Sequence, residues 1–192
     1  MKIITYFLFA VLVLVACKNK EKQAALLPTD SIFYLNSSWK NQDGDSLRLK
    51  DLQGKTLAIV MIYTSCKAAC PILVSKMKTI ESKISRKNIE KISLVLVSID
   101  PETDTPKRLK AFAKTNSMDA PQWIFLTSNE AATQEFANVL SMKYKKISPI
   151  DFSHSNIISV FSPDGRLVSQ EEGNIDVNQV VAQLNETVKS NS

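Results

Sequence analysis

Cys66 and Cys70 lie four positions apart in the run Tyr63-Thr64-Ser65-Cys66-Lys67-Ala68-Ala69-Cys70-Pro71 of this 192-residue chain. Two thiols at that spacing can close a disulfide or hold one soft metal ion between them. If the segment were helical, the rise and radius of an α-helix would put their Cα atoms about 6.2 Å apart, inside disulfide range. Pro71 suits a first helical position, which predicts Cys70 as the cap residue. Unpaired N–H groups and the helix dipole would then favour thiolate over thiol there, and Lys67 adds positive charge in the same sense. Thiolates select Cu(I), zinc or iron–sulfur clusters. A cluster wants four cysteines, and the chain has three. Zinc wants four protein ligands, so carboxylates would have to complete a set begun by two thiols and one imidazole. That imidazole is His154, the only histidine, in Asp151-Phe152-Ser153-His154-Ser155-Asn156. Alone, such a residue is as a rule a surface or packed polar group. It becomes a third ligand if the fold carries it to the sulfurs.

The third cysteine, Cys17, reads differently. Lys2 precedes an uncharged, largely apolar run of 14 residues from Ile3 to Ala16, shorter than the ~20 residues that span a bilayer. This is the pattern of a secretory signal, with the small Ala16 at the processing site. The ending Leu14-Val15-Ala16-Cys17 resembles a bacterial lipoprotein box. The expected organisation is a lipoprotein signal peptide over 1–16, a lipidated Cys17 with a flexible tether over 17–30, and a folded domain over 31–192. Such a domain is membrane-anchored and extracytoplasmic, on the periplasmic side, where disulfides persist. Cys66 and Cys70 then remain as a pair.

Composition narrows the classes. Hydrophobic residues make 44% and charged residues 22% of the chain, with only 4 Gly and 7 Pro, which excludes a disordered, collagen-like or coiled-coil chain. The formal net charge is +5, without the clustered basic and stacking residues that nucleic-acid binding needs. No nucleic-acid partner is expected.

The elements that must position the sulfurs and the imidazole follow from apolar patterning. Ile32–Leu35 and Leu47–Leu49 are short strand candidates around a turn at Asp43-Gly44-Asp45. Residues 57–63 and 92–99 are continuous apolar runs, as expected of strands buried on both faces. A helix is predicted over 71–86 from Ile72, Leu73, Met77, Ile80 and Ile84. A second opens at Thr105-Pro106 with Thr105 or Asp104 as cap. Trp123–Leu126 is a strand, and Ser128 or Asn129 caps a helix with Phe136, Val139 and Leu140 inward. Strands at 157–161 and 166–169 flank the turn Ser162-Pro163-Asp164-Gly165, and Asp176–Val188 closes as a helix. Alternating strands and helices predict an α/β domain with a central mixed sheet flanked by helices. An N-terminal β-hairpin extends it. Cysteines just after a buried strand give the layout of a thioredoxin-like fold, and sites in open α/β sheets form at such strand ends.

Three segments then make a specific resemblance. Tyr63-Thr64-x-Cys66-x-x-x-Cys70-Pro71, Val97-Ser98-Ile99-Asp100-Pro101-Glu102-Thr103-Asp104-Thr105-Pro106, and His154-Ser155 followed by Ser162-Pro163-Asp164-Gly165 are similar, in order and spacing, to the Sco/SenC family. The resemblance covers residues 31–190. It implies a membrane-tethered thioredoxin-fold protein that binds copper, Cu(I) or Cu(II), through Cys66, Cys70 and His154. It also implies a partner, the subunit of cytochrome c oxidase that carries the CuA centre. Asp100 matches a family position near the site. Lys67-Ala68 departs from the family's common Pro-Asp, and Ser153 stands where members commonly have Asp, leaving Asp151 as the carboxylate expected to orient the imidazole. A thiol–disulfide oxidoreductase that reduces cysteines of a copper protein needs only the Cys66/Cys70 redox pair. A peroxidase of the same fold would use one cysteine as nucleophile and the other as resolver.

Overall fold

The computed structural model describes residues 26–67, 69–148 and 151–191. Its centre is the pair β3 (Thr56–Ile62) and β4 (Ile92–Ser98), both buried at every position. They run parallel, from Thr56 opposite Ile92 to Ile62 opposite Ser98. Unbroken burial along both strands requires cover on both faces, which is why each reads as a continuous apolar run. β5 (Trp123–Thr127) extends the sheet in parallel beyond β4. β8 (Ile157–Phe161) joins β3 antiparallel on the other side and pairs with β9 (Leu167–Glu172). A hairpin of β1 (Ser38–Asn41) and β2 (Ser46–Arg48) adds to β5, giving seven strands in the order β2-β1-β5-β4-β3-β8-β9.

Helices α1 (Ala69–Lys83) and α4 (Val177–Ser190) pack together, and α4 lies across β3, β8 and β9. α2 (Pro106–Thr115) meets β5 through an edge contact of Phe112 with Phe125. α3 (Glu130–Val139) sends Phe136 edge-on to the buried Trp39. Thr105 and Asn129 cap α2 and α3 by accepting from the amides of Arg108 and Ala132. Met61, Met77, Met118 and Met142 are all core residues. Among the described residues no helix is long and apolar enough to cross a membrane.

The structure corrects several expectations. Ile32–Leu35 is not a strand: Ile32–Tyr34 form a 3₁₀ turn capped by Ser31, because a short buried apolar run looks alike in either state. Leu49 opens a second such turn, Leu49–Leu52, so the hairpin extension ends at Arg48. Val139, at the last residue of α3, and Ile72, in the first turn of α1, point outward. Gly165 is more than a turn residue. It has φ +85°, and a Cβ there would lie 2.8 Å from the Phe33 ring.

A second hairpin went unpredicted. β6 (Tyr144–Ser148) and β7 (Asp151–His154) pair antiparallel, Tyr144 opposite His154, as a separate two-stranded sheet. The expected signal segment and Cys17 lie outside the described residues.

Candidate metal centre

The sulfurs and the imidazole come from three elements at one end of the sheet. Cys70 is the second residue of α1 and is buried. Cys66 is half-buried on the turn leaving β3, its amide bonded to the Tyr63 carbonyl at 3.3 Å. His154 ends β7. The ligand atoms of Cys66, Cys70 and His154 all lie within 4.8 Å of one another. Cys70 Sγ is 3.8 Å from His154 Nε2. No disulfide joins the two cysteines in this structure.

The imidazole is oriented by backbone, not by a carboxylate. His154 Nδ1 faces the Ser155 carbonyl at 3.1 Å. A carbonyl only accepts, so Nδ1 carries the proton and Nε2 turns a lone pair toward the sulfurs. Asp151, expected to serve the imidazole, accepts instead from the Tyr63 hydroxyl. That hydroxyl also accepts from the Phe152 amide at 3.3 Å. The Tyr63 ring stands edge-on to His154, 5.8 Å between centroids. Asp151 therefore touches the imidazole's neighbour, one residue removed.

Asp100 is buried in the turn after β4, where its carbonyl accepts from the Thr103 and Asp104 amides at 3.1 and 2.9 Å. It lines a cavity of about 240 Å³ with Glu102, Tyr144 and Phe152. It does not belong to the three-ligand group. The acid that reaches the cysteine loop is Asp104, which the sequence suggested only as a helix cap. It is fully buried and accepts from the Thr64 amide at 3.1 Å, the Thr64 hydroxyl, and Ser98 Oγ at 2.7 Å. Burial pushes its pKa up, and these hydrogen bonds oppose the rise.

The expected thiolate at Cys70 is also corrected. α1 begins at Ala69, so Cys70 lies inside the first turn and not at the cap. Its amide donates to Cys66 Sγ at 3.2 Å, so the helix-terminal N–H falls on Cys66. Burial pushes the Cys70 thiol well above the usual thiol range, and the neighbouring Cys66 adds to the rise. Lys67 is exposed and does not offset this.

Two sulfurs and one imidazole nitrogen form a soft, three-donor set, and no carboxylate joins it among the described residues. That set fits copper; it falls short of the four protein ligands of a structural zinc site.

The sequence profile described as SCO1/SenC matches residues 34–189. The chain belongs to this family. It is 29% identical to the SCO1 protein homolog of Bacillus subtilis (strain 168) over 139 residues, 71% of this chain and 72% of that protein. The Bradyrhizobium japonicum ScoI structure with copper bound aligns at a TM-score of 0.64 and 25% identity, over 79% of this chain and 96% of that one. BsSco, described as a member of the Sco family of cytochrome c oxidase assembly proteins with a disulfide switch, aligns at 0.70 and 26%, over 79% and 91%. The mixed sheet flanked by helices is the thioredoxin-like fold of these SCO1/SenC structures.

Proposed function

We propose that this SCO1/SenC protein is an extracytoplasmic copper carrier that takes the ion between Cys66, Cys70 and His154. In this reading it delivers copper to, or prepares copper for, the CuA centre of a cytochrome c oxidase subunit. A lipidated Cys17 and the 17–30 tether would keep the domain at the periplasmic side of a membrane. The observation that carries the reading is the convergence of three ligand atoms within 4.8 Å from positions 84 residues apart in sequence. A copper-bound member of the same family and one described as an oxidase assembly protein support it.

Copper is cargo here, and the chain's own groups hold and release it. Cys66 and Cys70 supply soft sulfur, and His154 supplies Nε2 with its tautomer fixed by the Ser155 carbonyl. The half-buried Cys66 is the sulfur that an acceptor can approach.

The deciding experiment is an anaerobic Cu(I) and Cu(II) titration of the reduced chain beside His154→Ala and Cys70→Ala. One equivalent bound tightly by the wild type alone supports carriage. Equal, weak binding by all three would move the assignment to a thiol–disulfide oxidoreductase, for which the Cys66/Cys70 dithiol suffices.

A further inference from the structure

We infer that Asp104 and Arg108, flanking the cap of α2, are positioning residues that clamp the Thr64-Ser65 segment and so fix the Cys66 sulfur for metal capture. This rests on the copper reading of the same site. The three ligands differ in how their backbone is held. Cys70 is set by α1 and His154 by β7. Cys66 belongs to neither a helix nor a strand; besides its own contacts with the Tyr63 carbonyl and the Cys70 amide, the tethers of the two residues before it set where its sulfur stands.

Those tethers form one chain of hydrogen bonds. Asp104, fully buried, takes the Thr64 amide at 3.1 Å and Ser98 Oγ at 2.7 Å, pinning the loop to the end of β4. The Thr64 hydroxyl donates to the same carboxylate and accepts from Arg108 Nε at 2.6 Å. Arg108 Nη2 then donates to Ser65 Oγ at 2.9 Å. Ser98, Asp104, Thr64, Arg108 and Ser65 are thus linked in series, ending at the residue before Cys66. Asp104 and Arg108 are four apart, with Nε 3.7 Å from Oδ1, so the carboxylate and the guanidinium grip the loop from one side. A planar guanidinium can serve two hydroxyls on adjacent residues at once, which a lysine ammonium cannot reproduce in the same geometry.

The Arg108 side chain is 45% exposed. It gives two donors to loop hydroxyls that water would otherwise satisfy, and its charge stands beside the buried Asp104 carboxylate. Its role is to order the loop before the ion arrives. A loop ordered in advance spares the binding step the entropy of fixing it.

The test uses the full chain in mild detergent, with Arg108→Ala and Arg108→Lys. Lysine keeps the charge and loses the fork. The clamp requires both variants to bind Cu(I) about tenfold more weakly in a chelator competition, which corresponds to about 1.4 kcal/mol. The thermal midpoint of Arg108→Lys, which keeps a cation beside the buried Asp104, should stay near the wild type. In the metal-free reduced chain, iodoacetamide should modify Cys66 several times faster in both variants, with Cys70 unchanged. Wild-type affinity and wild-type Cys66 reactivity in Arg108→Ala would overturn the clamp. So would rescue of both by lysine, since charge and not geometry would then be acting. If the wild-type chain fails to bind copper, the copper reading falls, and the metal-free Cys66 reactivities still decide the clamp.

Discussion

Removing one oxygen atom, Tyr63→Phe, tests what holds His154 over the sulfurs. The β6–β7 hairpin pairs with no strand of the main sheet among the described residues, so beyond the short link from His154 to β8 its position is set by side chains. Tyr63, 1% exposed, donates to Asp151 and accepts from the Phe152 amide. Its ring also lies tilted against Phe152, centroids 5.1 Å apart. Tyr144 and Phe152 pack against the core, and the polar tie besides Tyr63 is Lys146 to Glu102 at 3.0 Å, an exposed pair of the kind that contributes about 0–1 kcal/mol. A hydrogen bond to a charged group contributes about 1.5–3 kcal/mol. Asp151 is exposed, so about 1–2 kcal/mol is a fair figure for the phenol's hold, with solvent screening discounted. At about 1.4 kcal/mol per decade, that is a fivefold to thirtyfold loss of Cu(I) affinity, with ring packing preserved.

A double-mutant cycle with Asp151→Ala sharpens the test: if the Tyr63–Asp151 hydrogen bond carries the hold, the double variant Tyr63→Phe/Asp151→Ala should lose little more affinity than Tyr63→Phe alone. The assay is Cu(I) competition, with the His154 ring followed by NMR. A Tyr63→Phe variant within twofold of wild type would refute the reasoning, as would single-variant losses that simply add in the double. Burial and the Asp151 hydrogen bond push the Tyr63 pKa up from its ordinary 10.0. A raised folded value means the phenol's contribution is fully present below pH 10 and is lost only as the pH rises on through the higher folded value. The affinity difference between wild type and Tyr63→Phe should not depend on phenol ionisation at neutral pH.

Cys66, half-buried, should be alkylated first, and peptide mass spectrometry should find one adduct on the Cys66/Cys70 pair below pH 9, because Cys70 is buried with its pKa raised from 9.0. Metal uptake must displace the Cys70 proton, so apparent Cu(I) affinity should rise about tenfold per pH unit between pH 6 and 8 from that thiol alone; a flat profile would contradict a protonated Cys70. Gly165→Ala, which sets a Cβ 2.8 Å from the Phe33 ring at φ +85°, should lower urea stability by about 1–3 kcal/mol, and an unchanged midpoint would mean that Phe33 can move aside.

The central strands were legible because burial on both faces leaves no alternation to misread, as in residues 56–62 and 92–98. Thr105 and Asn129 were legible as caps because a side-chain oxygen before a helix has one obvious use. The β6–β7 hairpin was hidden by its composition. Tyr144-Lys-Lys-Ile-Ser turns Tyr144 toward His154 and Phe152 but leaves Lys145, Lys146 and Ile147 exposed, so neither alternation nor an apolar run marks it. Asp104 was hidden by having two uses. Local patterning sees an acid beside a helix cap, and only the fold brings Thr64 and Ser98 onto its carboxylate.

The acids around the centre explain its softness. Asp104 and Asp151 each stand beside a neighbour of a ligand, Thr64 before Cys66 and Tyr63 against His154. Asp104 is committed to Thr64 and Ser98, and Asp151 to the Tyr63 hydroxyl. Each carboxylate fixes the segment that carries a ligand: Asp104 the Cys66 loop, Asp151 the His154 strand. Oxygen donors suit Mg²⁺, Ca²⁺ and Mn²⁺, whereas thiolate and imidazole suit copper. Spending the acids on positioning keeps them out of the coordination set, so the same hydrogen bonds that bring sulfur and nitrogen together also withhold the ligands that harder cations would need.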